Sequence, residues 1–106
     1  MSNTTLGIQE LADRLATIPQ GRASRVLDII ALIQRQPDSE IAAHVGRTRA
    51  WVQQKRTGKS DLRTLDDIAR IAAALDVPEG LFVGTPMEAT EWLLANKPEL
   101  FRWLAA

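Results

Sequence analysis

The chain has 106 residues, of which 45% are hydrophobic and 25% charged, a composition typical of one soluble globular domain. It has no cysteine and one histidine, which excludes disulfides and thiolate metal sites and argues against a metal site built from histidines. The net charge of zero argues against a general polyanion binder. No apolar run approaches the roughly 20 residues of a membrane span, and the N-terminus lacks a signal pattern, so we expect a cytoplasmic protein without membrane contact.

The first two apolar patterns predict helices. Residues at near-helical spacing predict a first helix from about Leu6 to Ile18, ended by Pro19, with a polar loop to Ser24. A second helix is predicted from about Arg25 to Arg35. It carries so much apolar surface that we expect it to be the central core helix.

The stretch from Asp38 to Lys59 has the pattern of two short helices joined by a tight turn. Asp38 or Ser39 is expected to cap the first helix, and Gly46 to end it, because glycine tolerates the left-handed backbone of a sharp reversal. The second helix is expected from Thr48, a capping residue, to Thr57.

The remaining patterns are also helical. Thr64 and Asp67 indicate a capped helix ending near Asp76, and the residues 81–83 are expected to form an apolar lid over the core. Thr85 begins a further helix, and Pro98 interrupts it and begins a last one. No stretch alternates like a strand, so the sequence predicts an all-α fold.

Positive charge is concentrated on the second helix of the motif and its flanks. Residues 47–63 carry a net charge of +5, whereas residues 1–46 carry −1 and residues 64–106 carry −4. A phosphate backbone would meet this positive segment.

The second helix of the motif has side chains suited to reading bases. With Val52 placed inward, helical geometry puts Ala50, Gln53, Gln54 and Thr57 on the opposite face. Glutamine can pair with adenine through two hydrogen bonds, and alanine can contact a thymine methyl group. Arg49 can reach a guanine or a phosphate. Cations better placed for the DNA backbone are Arg47, Lys55, Arg56 and Lys59.

The segment from about Arg25 to Phe82 resembles the Cro/repressor (XRE-type) helix-turn-helix family. The residues that carry the resemblance are Ile41, Ala42, Val45, Gly46, Val52, Gly58, Lys59 and the closing stretch IARIAAALDVPEGLF. The resemblance implies a five-helix, lambda-repressor-like domain whose third helix reads DNA. It implies base contacts by Thr48, Arg49, Ala50, Gln53, Gln54 and Thr57, and phosphate contacts by Ser39, Lys59 and Ser60.

The sequence departs from this family at two positions. Arg47 and Lys55 stand where apolar residues are usual, so the helix must be held by Val52, Trp51 and the aliphatic stem of Lys55. Trp51 has two interpretations: its indole N–H donates to a phosphate, or it fills the space left by the missing apolar residues.

The two ends of the chain are additional to the family pattern. We divide the chain into an N-terminal extra helix (1–22), a helix-turn-helix domain (23–84) and a C-terminal helical extension (85–106). The extension is a possible dimer interface, with candidate residues Trp92, Leu93, Phe101 and Trp103. The alternatives are packing on the first helix and binding another protein.

Together these features indicate a sequence-specific transcriptional regulator, interpreted as a repressor that binds an inverted-repeat operator in double-stranded DNA as a homodimer. The alternatives are an antitoxin that regulates its own promoter and a protein-binding adapter that does not bind DNA. No catalytic set, phosphate loop or cofactor motif occurs, so we expect neither an enzyme nor a cofactor.

Overall fold

The computed structural model describes residues 22–102, and this part of the chain is helical without strands, as the all-α prediction requires. The five α-helices of this range are α1 (Arg22–Gln34), α2 (Asp38–Val45), α3 (Arg49–Thr57), α4 (Leu65–Leu75) and α5 (Pro86–Asn96). Two 3-10 helices, Glu79–Val83 and Pro98–Phe101, stand before and after α5. The predicted helix Leu6 to Ile18 and the candidate contact residue Trp103 lie outside the described residues.

Helix α1 is the centre of the core, as its apolar content predicts. Every residue from Val26 to Ala31 is buried, and the helix packs against α3, α4, α5 and both 3-10 helices. It begins at Arg22, so the predicted loop to Ser24 is wrong in its last residues. Ser24 is instead buried within the helix, where its hydroxyl accepts a hydrogen bond from the Leu62 amide at 3.4 Å.

The start of α2 also differs from the prediction. Neither Asp38 nor Ser39 caps this helix; Pro37 occupies the cap position, and no side chain bonds the free amides there. The carboxylate of Asp38 instead accepts a hydrogen bond from Arg56 on α3 at 2.8 Å. Asp38 therefore forms an ion pair with Arg56 of another helix and does not cap its own helix.

Helix α5 belongs to the same core as the helices before it. The predicted capping box is confirmed: the Thr85 amide donates to Glu88 Oε1 at 2.8 Å, and the Glu88 amide donates to Thr85 Oγ1 at 3.1 Å. Ala89 and Leu93 are fully buried, and α5 packs chiefly on α1. Within the described residues, the predicted boundary after Gly84 therefore does not separate two packing units.

The apolar lid is smaller than expected. In the first 3-10 helix only Phe82 is buried, while Val83 points into solvent. Pro98 begins the last helical element, as predicted: a 3-10 helix runs to Phe101, and its Leu100 and Phe101 pack half-buried against the core. Trp103 and Leu104, which the prediction places in the same helix, lie outside the described residues.

Candidate nucleic-acid interface

The turn between α2 and α3 is built as the sequence predicts. Gly46 has a φ of 70°, in the left-handed region, and the amide of Arg47 donates to the Ala42 carbonyl at 3.1 Å. Thr48 caps α3, since its Oγ1 accepts a hydrogen bond from the Trp51 amide at 3.1 Å. These contacts fix the relative direction of the two helices.

Replacing Gly46 by alanine is expected to lower the free energy of unfolding by about 1 to 2 kcal/mol, because a Cβ disfavours the left-handed backbone. An added Cβ would meet no atom within 4 Å, so the effect comes from the backbone alone. Gly80→Ala is the matched control: its Cβ is equally free, and its φ lies outside the left-handed region. Urea unfolding measures both variants, and equal effects would contradict this explanation.

Helix α3 is anchored by one buried residue and one half-buried residue. Val52 is fully buried, and Trp51 packs half-buried against the core. The two cations at usually apolar positions flank the Trp51 ring, with Arg47 Cζ 5.1 Å and Lys55 Nζ 5.4 Å from its centroid. Cation–π attraction thus adds to the apolar packing that holds this helix. The sequence left two interpretations of Trp51, a phosphate contact and a packing role, and the structure shows the packing contact.

Both flanking cations also have partners outside the ring. Arg47 forms an ion pair with Asp67 of α4 at 3.3 Å, and this pair connects the turn between α2 and α3 to α4. Lys55 Nζ donates to the Asp61 carbonyl at 2.7 Å and to Ser60 Oγ at 3.0 Å. Lys55 therefore holds the loop after α3.

Arg56 points inward, although the sequence analysis placed it at the DNA backbone. Its Nε donates to Asp28 Oδ1 on α1 at 2.9 Å, and its Nη1 donates to Asp38 Oδ1 on α2 at 2.8 Å. Its side chain is 14% exposed, and that of Asp28 is 1% exposed. Arg56 therefore joins α3 to α1 and α2, and its guanidinium does not face the surface where a phosphate would bind.

The outward face of α3 gathers the predicted base-reading residues. A shallow open depression is lined by Ala50, Gln53, Gln54, Thr57 and Lys59. The two glutamine side chains are exposed. The Thr57 hydroxyl donates to the Gln53 carbonyl at 2.9 Å, and the Thr48 oxygen serves as the helix cap, so these two groups have structural bonds already.

A second depression lies where the starts of α2 and α3 meet. It is lined by Pro37, Asp38, Ser39 and Arg49. Ser39 and Arg49 are both exposed, so a hydroxyl and a guanidinium from two helices face one opening. The first turn of a helix has free backbone N–H groups, and together with an adjacent arginine they form a suitable position for one phosphate.

The exposed positive charge is smaller than the sequence total suggests. Lys55 and Arg56 are engaged internally, whereas Arg47, Arg49, Lys59 and Arg63 remain exposed. Arg63 pairs with Asp61 at 2.8 Å on the surface. Within the described part of the chain, Arg49 and Lys59 have no ion-pair partner within 4.0 Å, and they stand at the two ends of α3.

The candidate dimer residues separate into different environments. Leu93 is fully buried in the core of the single chain, where its side chain presents no surface to a second copy. Trp92 and Phe101 are half-buried and pack against the same core. They keep part of their surface available.

Comparison of the chain with family models, with curated proteins and with solved structures found no match. No helix among residues 22–102 is long and apolar enough to span a bilayer. The same residues contain no group of three or more histidine, aspartate or glutamate side chains placed to hold a metal ion.

Proposed function

We propose that this protein is a sequence-specific DNA-binding transcriptional regulator that places α3 in the major groove. The observation that carries the proposal is the outward face of α3, where Gln53 and Gln54 are exposed between Arg49 and Lys59. Amide side chains can read base edges, and a cation at each end of the helix can contact the phosphates beside the groove. The resemblance to the Cro/repressor family supports the same assignment.

Ser39 and Arg49 supply a further phosphate position on the entry side of the motif. Lys59 and Ser60 supply one on the exit side, where Lys55 holds the loop through Ser60. The two positions lie before and after the base-reading face. A helix clamped at both ends has a defined register on the duplex.

The protein is proposed to act as a homodimer on an inverted repeat and to repress by occupying the operator. Two copies would place their α3 helices in successive major grooves, about 34 Å apart. Among the described residues Trp92 and Phe101 are candidate contacts between copies, since each retains exposed surface, and Trp103 stays a candidate from the sequence. Selecting bound sequences from a random DNA pool tests this directly, because symmetric half-sites one turn apart are required.

Replacing Gln53 or Gln54 by alanine is expected to weaken binding to the selected operator by about 1 to 3 kcal/mol each. Binding to unrelated DNA should change little, because these side chains contact bases. Fluorescence anisotropy with both DNAs measures the difference. Asn96→Ala, which removes an exposed amide on α5, is the matched control and should leave both affinities unchanged.

Lys59→Ala is the complementary variant and should weaken operator and unrelated DNA alike, since a phosphate contact carries no sequence information. A Gln53/Gln54 double variant that binds the operator normally would refute the reading face. Selection of no sequence from the pool would refute sequence-specific binding itself.

A further inference from the structure

The depression between the starts of α2 and α3 is lined by side chains of opposite charge. Arg49 supplies a guanidinium, and Asp38 supplies a carboxylate whose side chain is 23% exposed. Ser39, which directly follows Asp38, is exposed at the same opening. The entry-side phosphate position therefore contains a negative charge beside the groups that would bind a phosphate.

The carboxylate of Asp38 is held in this position by the protein. Its Oδ1 accepts a hydrogen bond from Arg56 Nη1 at 2.8 Å. The guanidinium of Arg56 also donates to Asp28 at 2.9 Å, and it is not among the groups that line the depression. The ion pair thus turns its negative end toward the opening, and its positive end lies behind.

The exit side of α3 has a different charge. The depression along the outward face of α3 is lined by Lys59 together with neutral side chains. Lys55 Nζ lies 3.0 Å from Ser60 Oγ, so a second positive charge stands next to the exit-side phosphate position. Asp61, which follows in the sequence, pairs with Arg63 at 2.8 Å. The exit side is therefore positive, whereas the entry side combines one cation with one anion.

The distance between a bound phosphate and Asp38 sets the size of the effect. A phosphate bonded to Ser39 would lie roughly 7 Å from the neighbouring carboxylate, since consecutive Cα atoms are about 3.8 Å apart. Repulsion between two unit charges at this distance, at a dielectric between those of a protein surface and of water, weakens binding by about 3- to 10-fold. Dissolved ions screen this repulsion, because the Debye length falls from about 10 Å in about 0.1 M salt to about 3 Å in about 1 M salt.

We infer, on the basis of the proposed DNA-binding function, that Asp38 limits the affinity of this protein for DNA by repelling the phosphate that Ser39 and Arg49 would hold. A phosphate contact carries no sequence information, so Asp38 weakens binding to the operator and to unrelated DNA alike. The base contacts of Gln53 and Gln54 then supply a larger share of the binding free energy.

Asp38 has opposite effects on folding and on binding. A carboxylate in the first turn of α2 is favourable for that helix, and its ion pair with Arg56 joins α2 to α3. Loss of the carboxylate should therefore lower the free energy of unfolding while it strengthens DNA binding. A residue with a structural role alone would lower both properties when it is replaced, so the two roles predict changes in affinity of opposite sign.

Asp38→Asn is the test variant, since asparagine keeps an oxygen that can accept from Arg56 and removes the charge. Glu40→Gln is the matched control: it removes the same charge from the same turn of α2, but Glu40 lines a different depression. Fluorescence anisotropy measures the Kd of both variants and of the parent for the selected operator and for an unrelated duplex. In about 0.1 M salt, Asp38→Asn should bind both DNAs about 3- to 10-fold more tightly than the parent, and the gain in Glu40→Gln should stay below about 2-fold.

Salt dependence and stability are two further readouts. The gain in affinity of Asp38→Asn should shrink as the salt concentration is raised, because screening removes the repulsion that the variant relieves. Urea unfolding should show that the same variant is less stable than the parent. Circular dichroism checks that each protein is folded in the binding assay. Asp38→Ser removes the same charge with a residue suited to a helix start, and it replaces Asp38→Asn if that variant does not fold.

Equal or weaker DNA binding by a folded variant without the Asp38 carboxylate would overturn the inference and leave the proposed function standing. An equal gain in Glu40→Gln would also overturn it, since net charge without regard to position would then explain the effect. A gain that persists undiminished at high salt would contradict repulsion as the cause. Failure of the parent and of both variants to bind either DNA at low salt would refute the proposed function, and the inference with it.

Discussion

Replacing Arg56 by alanine is expected to lower the free energy of unfolding by about 3 to 5 kcal/mol. The variant removes the guanidinium that lies 2.9 Å from Asp28 and 2.8 Å from Asp38. Asp28 is the critical partner because its carboxylate is buried among the apolar residues of α1. A buried carboxylate that loses an ion-pair partner retains the cost of leaving water.

Arg63→Ala is the matched control for this variant. Arg63 also pairs with an aspartate at 2.8 Å, but its side chain is 79% exposed. An exposed pair contributes at most about 1 kcal/mol, so the control should unfold nearly as the parent does. Urea titration of both proteins gives the comparison. Similar losses in the two variants would show that burial of the Arg56 pair has no energetic consequence.

Arg56→Lys separates the charge from the geometry. Lysine keeps the positive charge, but it lacks the planar fork that lets two different nitrogens of Arg56 contact two helices at once. We expect an intermediate stability. Affinity for the operator should fall by more than the loss of folded protein explains, since α3 loses its ion pair with α1 or with α2 and is held less firmly. Full recovery of both properties by lysine would assign the role to charge alone.

Replacing Leu93 by alanine is expected to cost about 2 to 5 kcal/mol of unfolding free energy, the usual result of a cavity left by a large buried side chain. Leu93 of α5 is fully buried, and α5 packs chiefly on α1. Leu65→Ala removes the same atoms from a side chain that is 78% exposed, and it should be close to neutral. Thermal unfolding distinguishes the two variants.

The same packing predicts the behaviour of a chain that ends at Gly84. Such a chain lacks Ala89 and Leu93, both fully buried, and it exposes the face of α1 that α5 covers. Circular dichroism should show loss of the cooperative unfolding transition. A cooperatively folded truncated chain would mean that α5 is an accessory helix, as the sequence division at residue 85 implied.

Local features were predicted well because their causes are local. The caps at Thr48, Thr64 and Thr85, and the reversal at Gly46, each depend on residues within about one helical turn. The inward position of Val52 follows from the helix period in the same way. These contacts form wherever the short segment is helical, so the sequence alone specifies them.

The contacts that were missed join residues far apart in the chain. Arg56 and Asp28 are 28 positions apart, and which side of α5 faces α1 depends on the whole bundle. One signal was present: Asp28 interrupts the apolar run VLDIIALI, and a carboxylate in such a position requires a cation or donors. The partner of Asp28 could not be chosen among the six cations of residues 47–63, because the helix period does not specify which helix lies opposite.

The side chains of Lys55 and Arg56 are bonded within the protein, and this limits how many counterions the protein would release from DNA on binding. Proteins that bind DNA displace condensed counterions in proportion to the phosphates they neutralise, with a logarithmic salt slope of about −0.9 for each. The six cations of residues 47–63 would give a slope of about −5.4 per subunit, whereas the two that we propose contact phosphates, Arg49 and Lys59, give about −1.8. An operator complex of this protein should therefore tolerate rising salt better than its sequence charge suggests.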